Sequence, residues 1–202
     1  MAFSRFVTAV AVAAPIVALT ACSPDQEPAA GPGTTPAVVT PSSSVPPAAT
    51  AGLVAHLATA DGTPVADATF DFTNGPNGAD GYATITVETT ADGVLEPGFH
   101  HMHIHAVGQC EPDSVGPDGG EPGDFLSAGP HYQSPGRTAE PPSGDLPALL
   151  VRDNGAALLV VATDLVNREE LVAGQGTSLM LHGAEGAANA HDRVACGVIE
   201  EQ

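Results

Sequence analysis

The stretch Gly98-Phe99-His100-His101-Met102-His103-Ile104-His105 constrains this chain more than any other, because four of its eight histidines fall within six residues. In an extended strand side chains alternate between faces, so His101, His103 and His105 share one side while His100, Met102 and Ile104 share the other. Two imidazoles at i and i+2 on a rigid strand can grip one metal ion, and copper suits a nitrogen-rich site. A lone histidine is usually structural or merely exposed. A His-x-His pair flanked by two more reads as a metal grip, and further ligands must then come from elsewhere in the chain.

The N-terminal part is not packed-domain sequence. Residues 1–21 carry a single charge, Arg5, followed by the apolar run Phe6 to Leu19, which has signal-peptide length and is short for a membrane span. Leu19-Thr20-Ala21-Cys22 resembles the bacterial lipoprotein cleavage box, in which the cysteine becomes the lipidated first residue; the alternative is an ordinary secretory signal with an incidental cysteine. Either way the chain is exported, and acylation of Cys22 would anchor it to the outer face of the cytoplasmic membrane or cell envelope. Residues 22–51 are Pro, Ala, Thr, Ser and Gly with almost no large apolar side chain, a composition that cannot bury enough surface to fold and reads as a tether. With Cys22 acylated, the remaining two of three cysteines, Cys110 and Cys196, can pair in an oxidising compartment or stay as two buried thiols.

A net charge of −19, with five arginines and no lysine, makes nucleic acid and anionic lipid headgroups poor partners for the surface. From Gly52 onward the chain has single-domain size, and its Gly- and Pro-rich, tryptophan-free composition indicates a loop-rich β fold. Strands are expected at Leu53–Ala58, Ala68–Phe72, Tyr82–Thr90 (Ala83, Ile85 and Val87 alternating with Thr84, Thr86 and Glu88), Gly98–Val107, Leu149–Arg152, Ala157–Thr163, Ser178–Leu181 and Arg193–Ile199. Gly75-Pro76-Asn77-Gly78 and Asp153-Asn154-Gly155 supply turn chemistry, and the segment from Asp164 to Gly176 has room for one helical turn. The fold class is therefore all-β, an eight-stranded antiparallel sandwich or barrel. A loop of about forty residues between Gly108 and Pro147 is long enough to be functional in its own right.

Gly98-Phe99-His100 with His103-Ile104-His105, Ser127-Ala128-Gly129-Pro130-His131, Ser143-Gly144-Asp145-Leu146, Leu181-His182 and Arg193-Val194-Ala195-Cys196-Gly197-Val198-Ile199 occur in an order that resembles the copper/zinc superoxide dismutase family, and is similar to its actinobacterial lipoprotein branch. The resemblance spans most of residues 52–202 and implies a Greek-key β-barrel. It further implies that His103, His105 and His182 are copper ligands and that His131 bridges copper and zinc. Arg193 would guide superoxide, Cys110 and Cys196 would form the disulfide tying the long loop to the last strand, and His100 would brace the site from the barrel side.

Three departures qualify it. The family's zinc site takes the bridging histidine, two more histidines and an aspartate. Asp145 matches that aspartate, but Tyr132 to Gly144 holds no histidine, and Pro142 stands where the last zinc histidine would be. Asp145 is then a remnant of the zinc position and reads as a loop-bracing carboxylate, since one imidazole and one carboxylate fall short of the ligands zinc prefers. Only ten residues, Gly183 to Asp192, lie between His182 and Arg193, which leaves the copper more open to solvent than in the family at large. His101, a glycine in the family, reads as an exposed histidine. The expected function is copper-dependent dismutation of superoxide to oxygen and hydrogen peroxide at the envelope, with copper as cofactor and zinc unlikely. The alternative is a copper-binding lipoprotein on the same fold with little or no activity. A homodimer is compatible with the resemblance, but family dimers use different surfaces.

Overall fold

The histidine strand lies inside a single antiparallel sheet in a computed structural model that describes residues 52–74 and 80–202. The expectations for residues 1–21, Cys22, the tether and the turn at Gly75 to Gly78 fall outside the described residues. Eight strands follow in chain order: β1 (Leu53–Ala58), β2 (Pro64–Asn74), β3 (Asp80–Thr89), β4 (Gly98–His105), β5 (Asp145–Val151), β6 (Leu158–Thr163), β7 (Thr177–Ala184) and β8 (Arg193–Glu201). Their spatial order is β5-β4-β7-β8-β1-β2-β3-β6 with every pairing antiparallel, and the sheet curls into a nearly closed barrel. One short helix, α1 (Arg168–Leu171), provides the expected helical turn, with the Glu170 N–H capped by Asn167 Oδ1.

Alternation builds the barrel interior. Ala83, Ile85 and Val87 of β3 are fully buried, as are Leu53, Ala55 and Phe70 of β1 and β2, and Met102 and Ile104 of β4 join the same core. The tight connection from β5 to β6, which pair with β4 and β3 rather than with each other, turns at Gly155, whose φ of 84° is open to glycine and whose N–H returns to Arg152 O. Several strands run longer than local sequence indicates: β2 starts at Pro64, β5 at Asp145, and β7 continues through Gly183. These ends carry poor strand formers that hold because a neighbouring strand is already paired beside them.

The long loop packs on the outside of β7 and β8 and makes a small second core there. Phe125 and Ala128 of the loop bury against Met180 and Cys196, next to the Cys110–Cys196 disulfide, which joins residues 86 apart with a Cα–Cα distance of 5.6 Å. On the loop-entropy account such a closure restricts the unfolded chain by about 4 to 5 kcal/mol. The covalent tie fixes the loop against the barrel wall that carries the histidines.

Candidate metal centre

His101, His103 and His105 do share the outer face of β4, with His100, Met102 and Ile104 pointing into the barrel. On the adjacent strand β7 the same period-2 rule sets Ser178, Met180 and His182 outward, because His105 pairs with Ser178 and His103 with Met180. The fourth histidine comes from the long loop: residues 130–132 run antiparallel beside the end of β4, with His131 opposite His105. Around a common point the rings succeed one another as His103, His131, His105 and His182, with neighbouring centroids 3.9, 5.1, 6.2 and 5.0 Å apart. One ring nitrogen from each lies within 4.8 Å of one from every other.

Acceptors behind the rings decide which nitrogen faces inward. His105 Nδ1 lies 2.8 Å from Gly129 O, and His182 Nδ1 lies 3.2 Å from His191 O. A carbonyl only accepts, so both Nδ1 atoms carry the proton and both Nε2 atoms keep a lone pair. His131 Nδ1 donates to Asp145 Oδ1 at 2.7 Å, which leaves its Nε2 as the acceptor too. His103 Nδ1, His105 Nε2 and His182 Nε2 are buried without a hydrogen-bond partner. Three orphaned acceptors converging on one point are costly unless a cation satisfies them. Burial, followed by repulsion from His131 and His182, lowers the pKa of His103 to about 4. Burial also takes His105 down to about 3 and shifts His182 in the same direction. At neutral pH these rings are therefore uncharged bases, the form that binds metal.

Arg193, at the start of β8, reaches across to the loop. Its Nη1 donates to Phe125 O at 2.6 Å and its Nη2 to Gly129 O at 2.9 Å, the carbonyl that also accepts from His105. The guanidinium is thus one carbonyl away from a cluster histidine, and burial lowers its pKa from the ordinary arginine value. His100 stands behind the site, its two ring nitrogens 2.7 Å from His182 O and 2.8 Å from Glu96 O, so that it ties β7 to the turn before β4.

Asp145, read from sequence as a loop-bracing carboxylate, accepts from His131 Nδ1 and so ties the long loop to the start of β5. Three further residues with ligand-type side chains, His101, Glu140 and His191, stay outside the cluster. His101 is exposed, its ring stacked on His103 at 6.2 Å. Glu140 is exposed, and His191 contributes its backbone carbonyl while its ring is exposed. Sequence reasoning missed the carbonyls of Phe125, Gly129 and His191, since a backbone oxygen has no residue signature.

The family model described as copper/zinc superoxide dismutase (SODC) matches residues 66–199. The chain belongs to the copper/zinc superoxide dismutase family. A relative named as a Cu-Zn superoxide dismutase in Mycolicibacterium paratuberculosis is 48% identical over 223 residues, covering 94% of this chain and 96% of the relative. One in Mycobacterium tuberculosis is 43% identical, with 90% of this chain and 87% of the relative covered. Among solved structures, the Cu/Zn superoxide dismutase from Brucella abortus is similar with a TM-score of 0.53 at 27% identity, over 73% of this chain and 98% of that one. The copper implied by this superoxide dismutase family fits the donor set here, because four converging imidazole nitrogens, three of them from His103, His105 and His182 and orphaned, suit copper chemistry.

Proposed function

We propose that this protein is a copper-dependent superoxide dismutase that works without zinc and is held at the cell envelope by a lipid on Cys22. The observation that carries the reading is the convergence of the four imidazoles beside a guanidinium that shares Gly129 O with His105. His103, His105, His131 and His182 would hold the copper. When bound, copper supplies the one-electron acceptance and donation that dismutation requires.

The rest of the work falls to the chain. Two of the five N–H groups of Arg193 are engaged by Phe125 and Gly129, and the others remain to receive the superoxide anion. On a chain of net charge −19 that positive charge acts locally rather than through a broad field. His131 Nδ1 keeps its proton and donates it to Asp145, so Nε2, whenever it is not engaged by the metal, is the atom at which a proton can be held and passed to the reduced oxygen species. The side chains of His131 and Asp145 are 35% and 29% exposed, which gives a small anion and water access to this edge.

Zinc is absent from the reading because its donors are. His131 Nδ1, the nitrogen turned away from the cluster, is taken up by Asp145, and residues 132–144 hold no histidine. Among the described residues the four histidines are the one group of three or more metal-binding side chains near enough to share an ion. Asp145 takes over the orienting task that a second metal would perform.

The test is the dismutation rate of the copper-loaded protein with zinc excluded and metals counted on the same sample, His182→Ala beside it. A fast rate at one copper per chain, abolished by the substitution, is expected. Copper bound with no rate above free-copper controls would assign the chain to the copper-binding alternative. The anchor rests on the Leu19-Thr20-Ala21-Cys22 sequence, and the Cys110–Cys196 disulfide fits export. Cys22→Ser is expected to move the protein from the membrane fraction to the soluble one; a variant still sedimenting with membranes would overturn the anchor.

A further inference from the structure

The loop that carries His131 leaves the edge of β4 at Tyr132 and returns at Gly144, and its neck is closed by three successive rungs. The first is His131 Nδ1 to Asp145 Oδ1 at 2.7 Å. The second is backbone: Gly144 N–H donates to Tyr132 O at 2.8 Å, while Tyr132 N–H donates to Ile104 O and Ile104 N–H to Gly144 O, both at 2.8 Å. This three-way crossing requires glycine, since a Cβ on Gly144 would sit 2.4 Å from Ile104 O. The third is built by Gln133. Its Oε1 accepts from Ser143 N at 2.7 Å and from Ser143 Oγ at 3.0 Å, and its Nε2 donates to Ala139 O at 3.0 Å. Ser143 Oγ in turn accepts from Ser134 N at 3.1 Å.

Ser143 is fully buried, so both of its donors depend on the one oxygen of Gln133. It lies two residues before Asp145, with only Gly144 between them, and Gly144 is locked against Ile104 and Tyr132. The hold on Ser143 is therefore one of the ties, beside the pairing of Asp145 with His103, that set where the Asp145 carboxylate stands. Outside the neck, Ser134 Oγ donates to Leu165 O and Tyr132 OH to Glu170 Oε2, so the outgoing side of the loop is fixed independently. The returning side, residues 142–145, is tied by Asp145 to His131, by Ser143 Oγ to Ser134 N–H and by the Gln133 clip, which alone holds both donors of Ser143.

We propose that Gln133 is a positioning residue for the reaction: by clipping Ser143 it sets the Asp145 carboxylate on His131 Nδ1 and so keeps His131 Nε2 turned to the other three imidazoles. The proposal rests on the dismutase reading for its consequence in rate, but its geometry is testable apart from that reading. A hydrogen-bond clip of this kind does with one amide what the loop has no second metal to do.

The experiment is nuclear magnetic resonance on the metal-free protein with nitrogen-15 in its histidines, following exchange of the His131 Nδ1–H with water. In Gln133→Ala that exchange should accelerate by about tenfold or more, the loss expected from one or two hydrogen bonds. The ring N–H signals of His100, on the opposite face of β4, should keep their native exchange, which separates a shifted neck from general loosening. Gln133→Glu keeps both acceptor contacts to Ser143 and should restore native exchange. With copper loaded, Gln133→Ala should lower the dismutation rate at unchanged copper content, and Gln133→Glu should recover it. If Gln133→Ala does not fold, Ser143→Ala carries the same exchange readout with a smaller expected acceleration. Native His131 exchange in these variants, or equal acceleration at His100, overturns the proposal. A protein with the expected exchange pattern but no dismutation at all would overturn the function and leave the clip standing.

Discussion

Removing Arg193 separates the enzyme from a copper holder. Arg193→Ala deletes the bonds to Phe125 O and Gly129 O and one of the few positive charges on a strongly acidic chain. Gly129 O keeps His105 as a donor and Phe125 O keeps the Ala128 N–H, so each carbonyl loses one of its two donors. Two lost charged hydrogen bonds, each softened because its carbonyl keeps another donor, give a destabilisation of about 2 kcal/mol. For a domain of this size that lowers the melting temperature by about 4 to 8 °C, small enough for the variant to stay folded at room temperature. The four histidines are untouched, so copper content should remain at one per chain. The rate should fall about 10- to 100-fold at low ionic strength, the span set by one charged hydrogen bond to the substrate anion and the lost local steering. The assay is stopped-flow or pulse-radiolysis decay of superoxide across a salt series. The ratio of native to variant rates should be greatest near 0.01 M salt and shrink toward 0.1 M, as the screening length falls from about 30 to about 10 Å. Full copper with a native rate and a native salt profile would refute the role of Arg193 and shift the reading to copper binding alone.

Acid should act on the metal-free protein in a defined window. The pKa values of His103 and His105 drop in the folded state to about 4 and about 3, from an ordinary value of 6.5. The unfolded chain therefore binds more protons between those limits, and the stability present above about pH 6.5 is lost as pH falls toward 4 and 3. Melting temperatures measured from pH 7 to 5, above the main carboxylate titration, should decline for the metal-free protein and hold steady once copper occupies the lone pairs. A flat profile without copper would count against the burial assigned to these rings.

Much of the fold was legible because its signals are local. Strict alternation in β3, the Asp-Asn-Gly turn before β6 and the His-x-His repeat in β4 each act over a few residues, and the strands formed where those patterns lie. Strand ends were less legible. Asp145 and Gly183 are poor strand formers and are extended by partners far away in the chain. The role of Asp145 shows the same limit, since only closure of the loop neck brings its carboxylate to His131.

The sequence by itself determined the alternation that puts His103 and His105 on one face, the cysteines available to pair, the acidity of the chain and the lack of histidine between Tyr132 and Gly144. Tertiary structure alone decided that His131 and His182 meet that pair, which nitrogen of each ring turns inward, and what holds Arg193 beside them. The physical reason is that these outcomes are set by acceptors that folding brings up behind them: Asp145 at His131, and elsewhere the carbonyl oxygens of Gly129, His191 and Phe125. Every residue carries such an oxygen, so its effect depends on where the folded chain places it rather than on which side chain is attached.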